Sequence, residues 1–496
     1  MSMAKIDLVD TTVRDGNQCL WGATGLDTAM MLQIAPAMDR VGFAAIDFTT
    51  STHMAVAVRF KKEDPWERIR LVREAMPTTP LGFLTTGMRF ISWQTASPDV
   101  MRLVFRLLVR NGIRRFAVMD PLNDMAALVE AARLVRAEGG EQVVAAVTYT
   151  VSPIHDDAYF DRAAAVLGAA PDIDRVYLKD PGGLLMPERA RTLLPAMQAR
   201  LAGKPFELHS HCTIGLAPFT YLEAADRGVP CLHTAVLPLA NGSSQPAAER
   251  IVANLRCLGH SVDIDDAALR DMSDYFVALA AAEGLPTGVP QEFDPAYFQH
   301  QIPGGMIGTM KRQLAELRLQ DRLPQVFAEA TRVRAELGYP IMVTPLSQLV
   351  AAQALMNVIG RERYGMVPDE VIRYAAGRFG APSAPLDPDV RDRILGSARA
   401  RELMAEPGME SLDELRGRFG RDLADEELIL RAVLPAEQVD AMRAAGPARR
   451  HYDPAIRPVV DLIRAVAARR DIGDVSISKP GFRLTMRSNR ARHAHA

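Results

Sequence analysis

Two histidines, His209 and His211, stand two residues apart in the short apolar run FELHSHCTIG, residues 206–215. If the run is a strand, alternate side chains share a face, so both imidazoles face one place. Two neutral imidazoles and one carboxylate suit a divalent transition ion, with a position left for water or substrate. Asp15, in VRDGNQ, is the candidate carboxylate. A simple hydrogen bond between the two imidazoles is the plainer alternative. Lys179, which ends the apolar run RVYLKD, is the third signal, because only seven of the 58 basic residues are lysines. A buried amine can be deprotonated, and a neutral amine can react with carbon dioxide to give a carbamate, a carboxylate-like ligand. A salt bridge from Lys179 to a neighbouring acid is the alternative.

These residues lie far apart in the chain, so the elements must bring them together. Short β-rich apolar runs fall at 5–12, 43–50, 80–86, 114–120, 143–150, 175–180, 206–212 and 231–239. Helical patterns fill the gaps, such as DVMRLVFRLLVRNG before the fourth run and DMAALVEAARLVRAEGG after it. Near-continuous apolar strands separated by helices imply a parallel sheet buried on both faces, and eight such units imply a closed (β/α)8 TIM barrel. An open doubly wound sheet is the alternative. Barrel enzymes work at the C-terminal ends of their strands. There this chain carries Arg14, Asp15 and Gln18 after strand 1, Lys179 at the end of strand 6, the two histidines on strand 7, and Ser243 and Ser244 after strand 8.

Past residue 255 the strand signal fades into amphipathic helices such as LSQLVAAQALMNVIG. The chain therefore divides into a barrel at 1–255, a mostly helical second domain at 256–390, peripheral helices at 391–450, and a C-terminal piece at 451–496. That last piece reads as an amphipathic helix, RPVVDLIRAVAARRDIG, then a hairpin turning at Pro480-Gly481 and a frayed tail.

Composition excludes some classes. The 496 residues carry 58 basic and 60 acidic side chains, a formal net charge of -2, which gives no electrostatic case for nucleic acid. No uninterrupted apolar run reaches the ~18 residues of a membrane span, and the start lacks a signal-peptide pattern. A soluble, cytoplasmic protein is expected. Four cysteines, Cys19, Cys212, Cys231 and Cys257, form no C-x-x-C pair and read as reduced thiols.

A family resemblance follows from particular strings. DTTVRDGNQ resembles the DTTFRDAHQ opening of the carboxyltransferase domain of pyruvate carboxylase and of the oxaloacetate decarboxylase alpha subunit. Further matches come in order: FKKEDPWERIRLVREAMP, VTYTVSPIH, YLKDPGGLL, HSHCTIG, GSSQP, QIPGGMIGTM and GYPIMVTPLSQLVAAQAL. The likeness reads as closest to the carboxyltransferase subunit of transcarboxylase and covers roughly residues 5–390. It implies a (β/α)8 barrel with a helical second domain, a divalent metal (Zn, Mn or Co), and carboxylate transfer between carboxybiotin and an enolisable acceptor. Carried over by motif, Asp15, His209 and His211 ligate the metal and Lys179 is the carbamylated fourth ligand. Arg14 and Gln18 hold the acceptor, Arg14 also steadying the enolate. Ser243 stands where the family has a proton-shuttling threonine. No biotin-attachment turn is present, since the only Met-Lys, Met310-Lys311, lies in a helical pattern. A biotin carboxyl carrier protein and a biotin carboxylase on separate chains are therefore implied, as is a homo-oligomer.

The sequence also departs from the family. In place of the family's LLRGAN, whose arginine grips the carboxylate of pyruvate, it reads LTTGMR, with Thr86 at that position. Loss of a charge-assisted clamp costs a pyruvate-like acid ~1.5–3 kcal/mol. Either the acceptor is not pyruvate or Arg89 reaches in from three residues on. Cys212 replaces a polar residue beside the histidines, and Leu346 replaces a serine. The C-terminal piece is similar to the opening segment of acetyl-CoA carboxylase biotin carrier proteins, which suggests either a docking element or a stabilising appendage. Two other functions compete. One is an aldol-type lyase or synthase resembling HMG-CoA lyase or homocitrate synthase, whose R-D-G-x-Q matches Gly16; the other is a non-catalytic scaffold subunit.

Overall fold

A computed structural model describes residues 4–453 apart from 93, 317 and 407, and beyond them 462, 463, 466, 474–479 and 482–487. Residues 1–450 form one compact unit and 451–496 a second.

The first unit is built on eight parallel strands: β1 (Asp7–Asp10), β2 (Ala45–Thr50), β3 (Leu81–Thr85), β4 (Arg115–Met119), β5 (Gln142–Thr148), β6 (Arg175–Asp180), β7 (Phe206–Ser210) and β8 (Cys231–Thr234). They pair in chain order, and β8 closes the ring on β1 through Asp7 to Cys231 and Asp10 to Thr234. The expected TIM barrel is therefore present. Its strands are buried on both faces, by side chains filling the barrel inside and by helices outside. Helices such as Pro98–Asn111 and Met125–Ala137 alternate with the strands, the latter capped by the Asp124 carboxylate accepting from the backbone N–H of Ala126 and Ala127.

Two ends differ from the sequence expectation in a useful way. β1 stops at Asp10 because the next residues, Thr12–Gly16, coil into a π-helical turn that projects Arg14 and Asp15 over the barrel mouth. β8 stops at Thr234, where the chain leaves the ring for the loop that carries Ser243 to Gln245.

Helices beyond residue 255 share a core of their own, including Leu314, Val326, Val333, Leu346, Val350 and Tyr374. A link between two of them, Ile341 to Val343, packs into the barrel top against Leu84, Met119 and Tyr177. The helical region thereby supplies a roof for the strand ends. Later helices lie on the barrel's flank: Glu426 accepts from Arg110 (3.0 Å) and Asn111 (2.9 Å), and its carbonyl accepts from the Trp66 indole at 3.1 Å.

The second unit contains the antiparallel pair β9 (Asp474–Lys479) and β10 (Phe482–Arg487). The helix expected at 457–473 and the turn at Pro480-Gly481 lie outside the described residues, apart from 462, 463 and 466. Among the described residues, no helix is long and apolar enough to cross a membrane.

Candidate active site

The strand register explains why the site residues meet. Lys179 of β6 lies directly beside His209 of β7, and in a parallel pair such neighbours point to the same side. The π-helical turn after β1 then swings Asp15 onto the two histidines. Its Oδ2 lies 3.0 Å from His209 Nε2 and 3.4 Å from His211 Nε2, and the two imidazole nitrogens are 3.2 Å apart. Ligand atoms at ~2.0–2.1 Å from one tetrahedral ion would stand ~3.3–3.4 Å from each other. The spacing thus fits an ion as well as it fits hydrogen bonds, and all three residues are buried.

Their protonation follows from that crowding. Burial works against charge on both histidines. At His211 the Asp15 carboxylate overcomes burial and pushes the pKa up to about 10, favouring the protonated ring, whereas at His209 burial wins and the pKa falls well below its ordinary value. Asp15 itself is kept ionised against burial by Arg14 and His211. A divalent ion would replace the proton and let both imidazoles bind it neutral. His211 Nδ1 donates to the Ser243 carbonyl at 2.7 Å, which turns its Nε2 towards Asp15.

Lys179 is buried, and among the described residues its amine has no hydrogen bond or ion pair, so the salt bridge considered from sequence is not formed. Burial lowers its pKa from the ordinary amine range; Asp15 resists and nearby Arg14 assists. The glycine after Gly182 fixes the loop beyond it. Gly183 has φ +68, and a Cβ there would fall 2.3 Å from the His211 carbonyl oxygen.

Arg14 is buried between two carboxylates, Asp15 Oδ1 at 2.8 Å and Asp47 Oδ2, which accepts from its Nε at 2.7 Å. His53 Nε2 meets the Arg14 carbonyl at 3.0 Å. Beside this cluster opens a cavity of about 230 Å³, whose lining includes Arg14, Gln18, Thr86, Lys179, His211 and Ser243 from the barrel. Pro303, Met306, Met342, Val343 and Thr344 contribute from the helical region. Arg89 is not brought to the cavity. Its guanidinium donates to Asp120 Oδ2 at 2.8 Å and to the carbonyls of Thr86 and Phe379, so it faces away from the lining.

The chain matches the family model of the conserved carboxylase domain over residues 298–456. It is 33% identical over 446 residues to a pyruvate carboxylase subunit of Methanocaldococcus jannaschii, covering 88% of this chain and 78% of that one. The chain belongs to the carboxyltransferase family of biotin-dependent carboxylases. This carboxyltransferase is also 33% identical to the 2-oxoglutarate carboxylase large subunit of Hydrogenobacter thermophilus, over 91% of this chain and 70% of that one. The match to the methylmalonyl-CoA carboxyltransferase 5S subunit of Propionibacterium freudenreichii subsp. shermanii is lower, at 29% over 78% and 76%. The carboxyl transferase domain of Rhizobium etli pyruvate carboxylase, solved with pyruvate, superimposes with a TM-score of 0.81 at 25% identity, over 98% of this chain and 83% of that one. These relatives favour the carboxyltransferase over the aldol-type lyase and the scaffold.

Sequence reasoning missed several residues of this carboxyltransferase's site. Gln245 Nε2 stands 3.1 Å from Asp15 Oδ2, 3.2 Å from His209 Nε2 and 3.1 Å from His211 Nε2, touching all three candidate ligands. It lay in the matched GSSQP string, so a signal for it existed. Asp47, which holds Arg14, and Cys19, whose Sγ lies 3.8 Å from His211 Nδ1, gave no such signal.

Proposed function

We propose that Asp15, His209 and His211 hold a divalent ion and that Lys179 completes the site as a carbamate. Carboxylate passes there between carboxybiotin and a small enolisable acceptor. The biotin arrives on a separate carboxyl carrier chain, itself charged by a biotin carboxylase chain. The observation that carries this reading is the cluster of three potential ligand atoms beside a buried amine that makes no ion pair, both at one cavity.

The ion, when bound, supplies Lewis-acid stabilisation of the charge that develops on the acceptor's enolate oxygen. Arg14 adds a positive charge already fixed by Asp15 and Asp47, so it need not reorganise during the reaction. Ser243 Oγ donates to the Cys19 carbonyl at 3.1 Å; released from it, the hydroxyl can carry a proton between the acceptor carbon and the biotin ring nitrogen. Leu84, Met119, Met306, Met342 and Val343 give the cavity an apolar wall that keeps water from a reactive carbanion. Gln18 orients the acceptor.

The acceptor is not simple pyruvate. Thr86 brings no charge to the end of β3, Arg89 is bound to Asp120, and Arg14 already has two carboxylate partners. Two measurements test the proposal. Labelled bicarbonate should give a carbamate resonance that disappears in Lys179→Ala, together with most of the bound metal. Purified wild-type protein should exchange carboxylate with free biotin for its acceptor and only weakly for pyruvate. Absence of metal and carbamate from active protein would refute the site chemistry.

A further inference from the structure

We propose that His233 and Glu207 are positioning residues that set the metal-binding tautomer and ring plane of His209. The inference rests on the reading of His209 as a metal ligand.

Glu207 lies two residues before His209 on β7, fully buried inside the barrel. Its carboxylate receives Arg115 on Oε2 and Arg175 on Oε1. Held by two guanidinium groups, it is an ionised acceptor with no proton to give. His233 of β8 places Nε2 2.8 Å from Glu207 Oε2, so that nitrogen must carry the proton. The other ring nitrogen of His233, Nδ1, is then an acceptor, and it lies 3.1 Å from His209 Nδ1. His209 must donate through Nδ1, which leaves the lone pair of its Nε2 free for an ion; until one binds, that nitrogen accepts from the Gln245 amide, whose Nε2 lies 3.2 Å away. Each tautomer along the chain follows from the one before it.

Packing holds the same geometry. The Tyr177 ring stacks on His233 with centroids 5.2 Å apart and an interplanar angle of 26°, and its edge meets His209 at 6.2 Å. The Tyr221 hydroxyl donates to the His233 carbonyl at 2.6 Å. The two candidate ligands are thus oriented by different means. His211 is set by a backbone carbonyl, that of Ser243, which no substitution removes. His209 is set by side chains alone, and its orientation can therefore be altered by mutation.

Glu207, Cys231 and His233 also have ligand atoms close enough to hold an ion of their own. The carboxylate's engagement with two arginines and His233 speaks for the hydrogen-bonded chain instead.

The test compares His233→Phe, which keeps a ring beside Tyr177 but offers no acceptor, with His233→Gln, which restores a side-chain oxygen. Metal-free proteins are titrated with zinc against a chromophoric chelator, and the thermal midpoint of each metal-free protein reports folding. The Phe variant should bind zinc about 10- to 100-fold more weakly, and the Gln variant should recover most of that loss. Equal affinity of wild type and His233→Phe would overturn the proposal. So would two zinc ions per wild-type chain with one lost in the variant, which would mark a second metal site. A wild type that binds no zinc would instead refute the underlying ligand reading. Should His233→Phe not fold, nitrogen NMR of labelled histidines in the wild type decides: His209 protonated on Nδ1 and His233 on Nε2 are expected, and the reverse pattern overturns the proposal.

Discussion

Placing an arginine at residue 86 should convert this carboxyltransferase towards pyruvate. Thr86 lines the cavity at the end of β3, while Arg14 enters from the end of β1 and is already paired with Asp15 and Asp47. Arg89 cannot substitute, because Asp120 holds it. A guanidinium on residue 86 would meet a carboxylate with charge-assisted bonds worth up to ~3 kcal/mol. Ordering the arginine side chain costs about 2 kcal/mol. The remaining ~1 kcal/mol corresponds to roughly a fivefold lower KM for pyruvate. Because this contact is made equally in ground and transition states, kcat should stay nearly constant while KM falls. Steady-state carboxyl exchange with pyruvate, comparing wild type, Thr86→Arg and Thr86→Lys, measures it; the lysine brings charge without the bidentate fork and should gain less. An unchanged KM in Thr86→Arg would refute the reasoning. A wild type that turns over pyruvate at a kcat/KM of ~10⁵ M⁻¹s⁻¹, within the usual enzyme range, would refute it as well.

Three other outcomes are expected. Ser243→Ala should lower kcat about 10²- to 10⁴-fold, the usual worth of a positioned proton carrier, while Ser243→Thr retains activity and both keep metal by elemental analysis. Gly183→Ala should lower both metal content and activity, since its Cβ would strike the His211 carbonyl; the circular dichroism of the barrel should persist. Acid should weaken the fold through His155, which is buried beside Arg334 and has its pKa lowered to about 4, by burial first and Arg334 second. The unfolded chain then binds the extra proton between about pH 6.5 and 4, so stability falls by up to ~3 kcal/mol as pH drops through that window. Urea unfolding of His155→Gln at several pH values should show a flatter profile.

The barrel was legible in the sequence because each strand is a short apolar run flanked by helical periodicity; seven expected runs contain their observed strand, and β5 begins one residue before its run, at Gln142. Its limits were less legible. The run at 5–12 continues in β-rich residues past Asp10, yet Thr12 donates to the Asp10 carboxylate and accepts from the Val236 N–H, which favours the turn over further pairing. The meeting of the candidate trio Asp15, His209 and His211 was readable from residue types and from the family strings. Gln245 lay in the matched GSSQP string, but Asp47 and His233 were not readable, because they reach their partners only once distant strands are side by side. Arg89 failed for a local reason. Three-residue spacing suggested the same cavity, but Gly87 takes φ +58 and the chain turns towards Asp120.

The candidate ligands come from distant parts of the chain: Asp15 follows the first strand, Lys179 ends the sixth, His209 lies on the seventh with His211 just past its end, and Gln245, which touches three of them, lies beyond the eighth. During synthesis on the ribosome the first of these emerges long before the others exist. An ion held, as proposed, by Asp15, His209 and His211 would tie the turn after the first strand to the seventh strand and so act as a clasp on the finished ring. Under that proposal metal uptake should trail barrel closure.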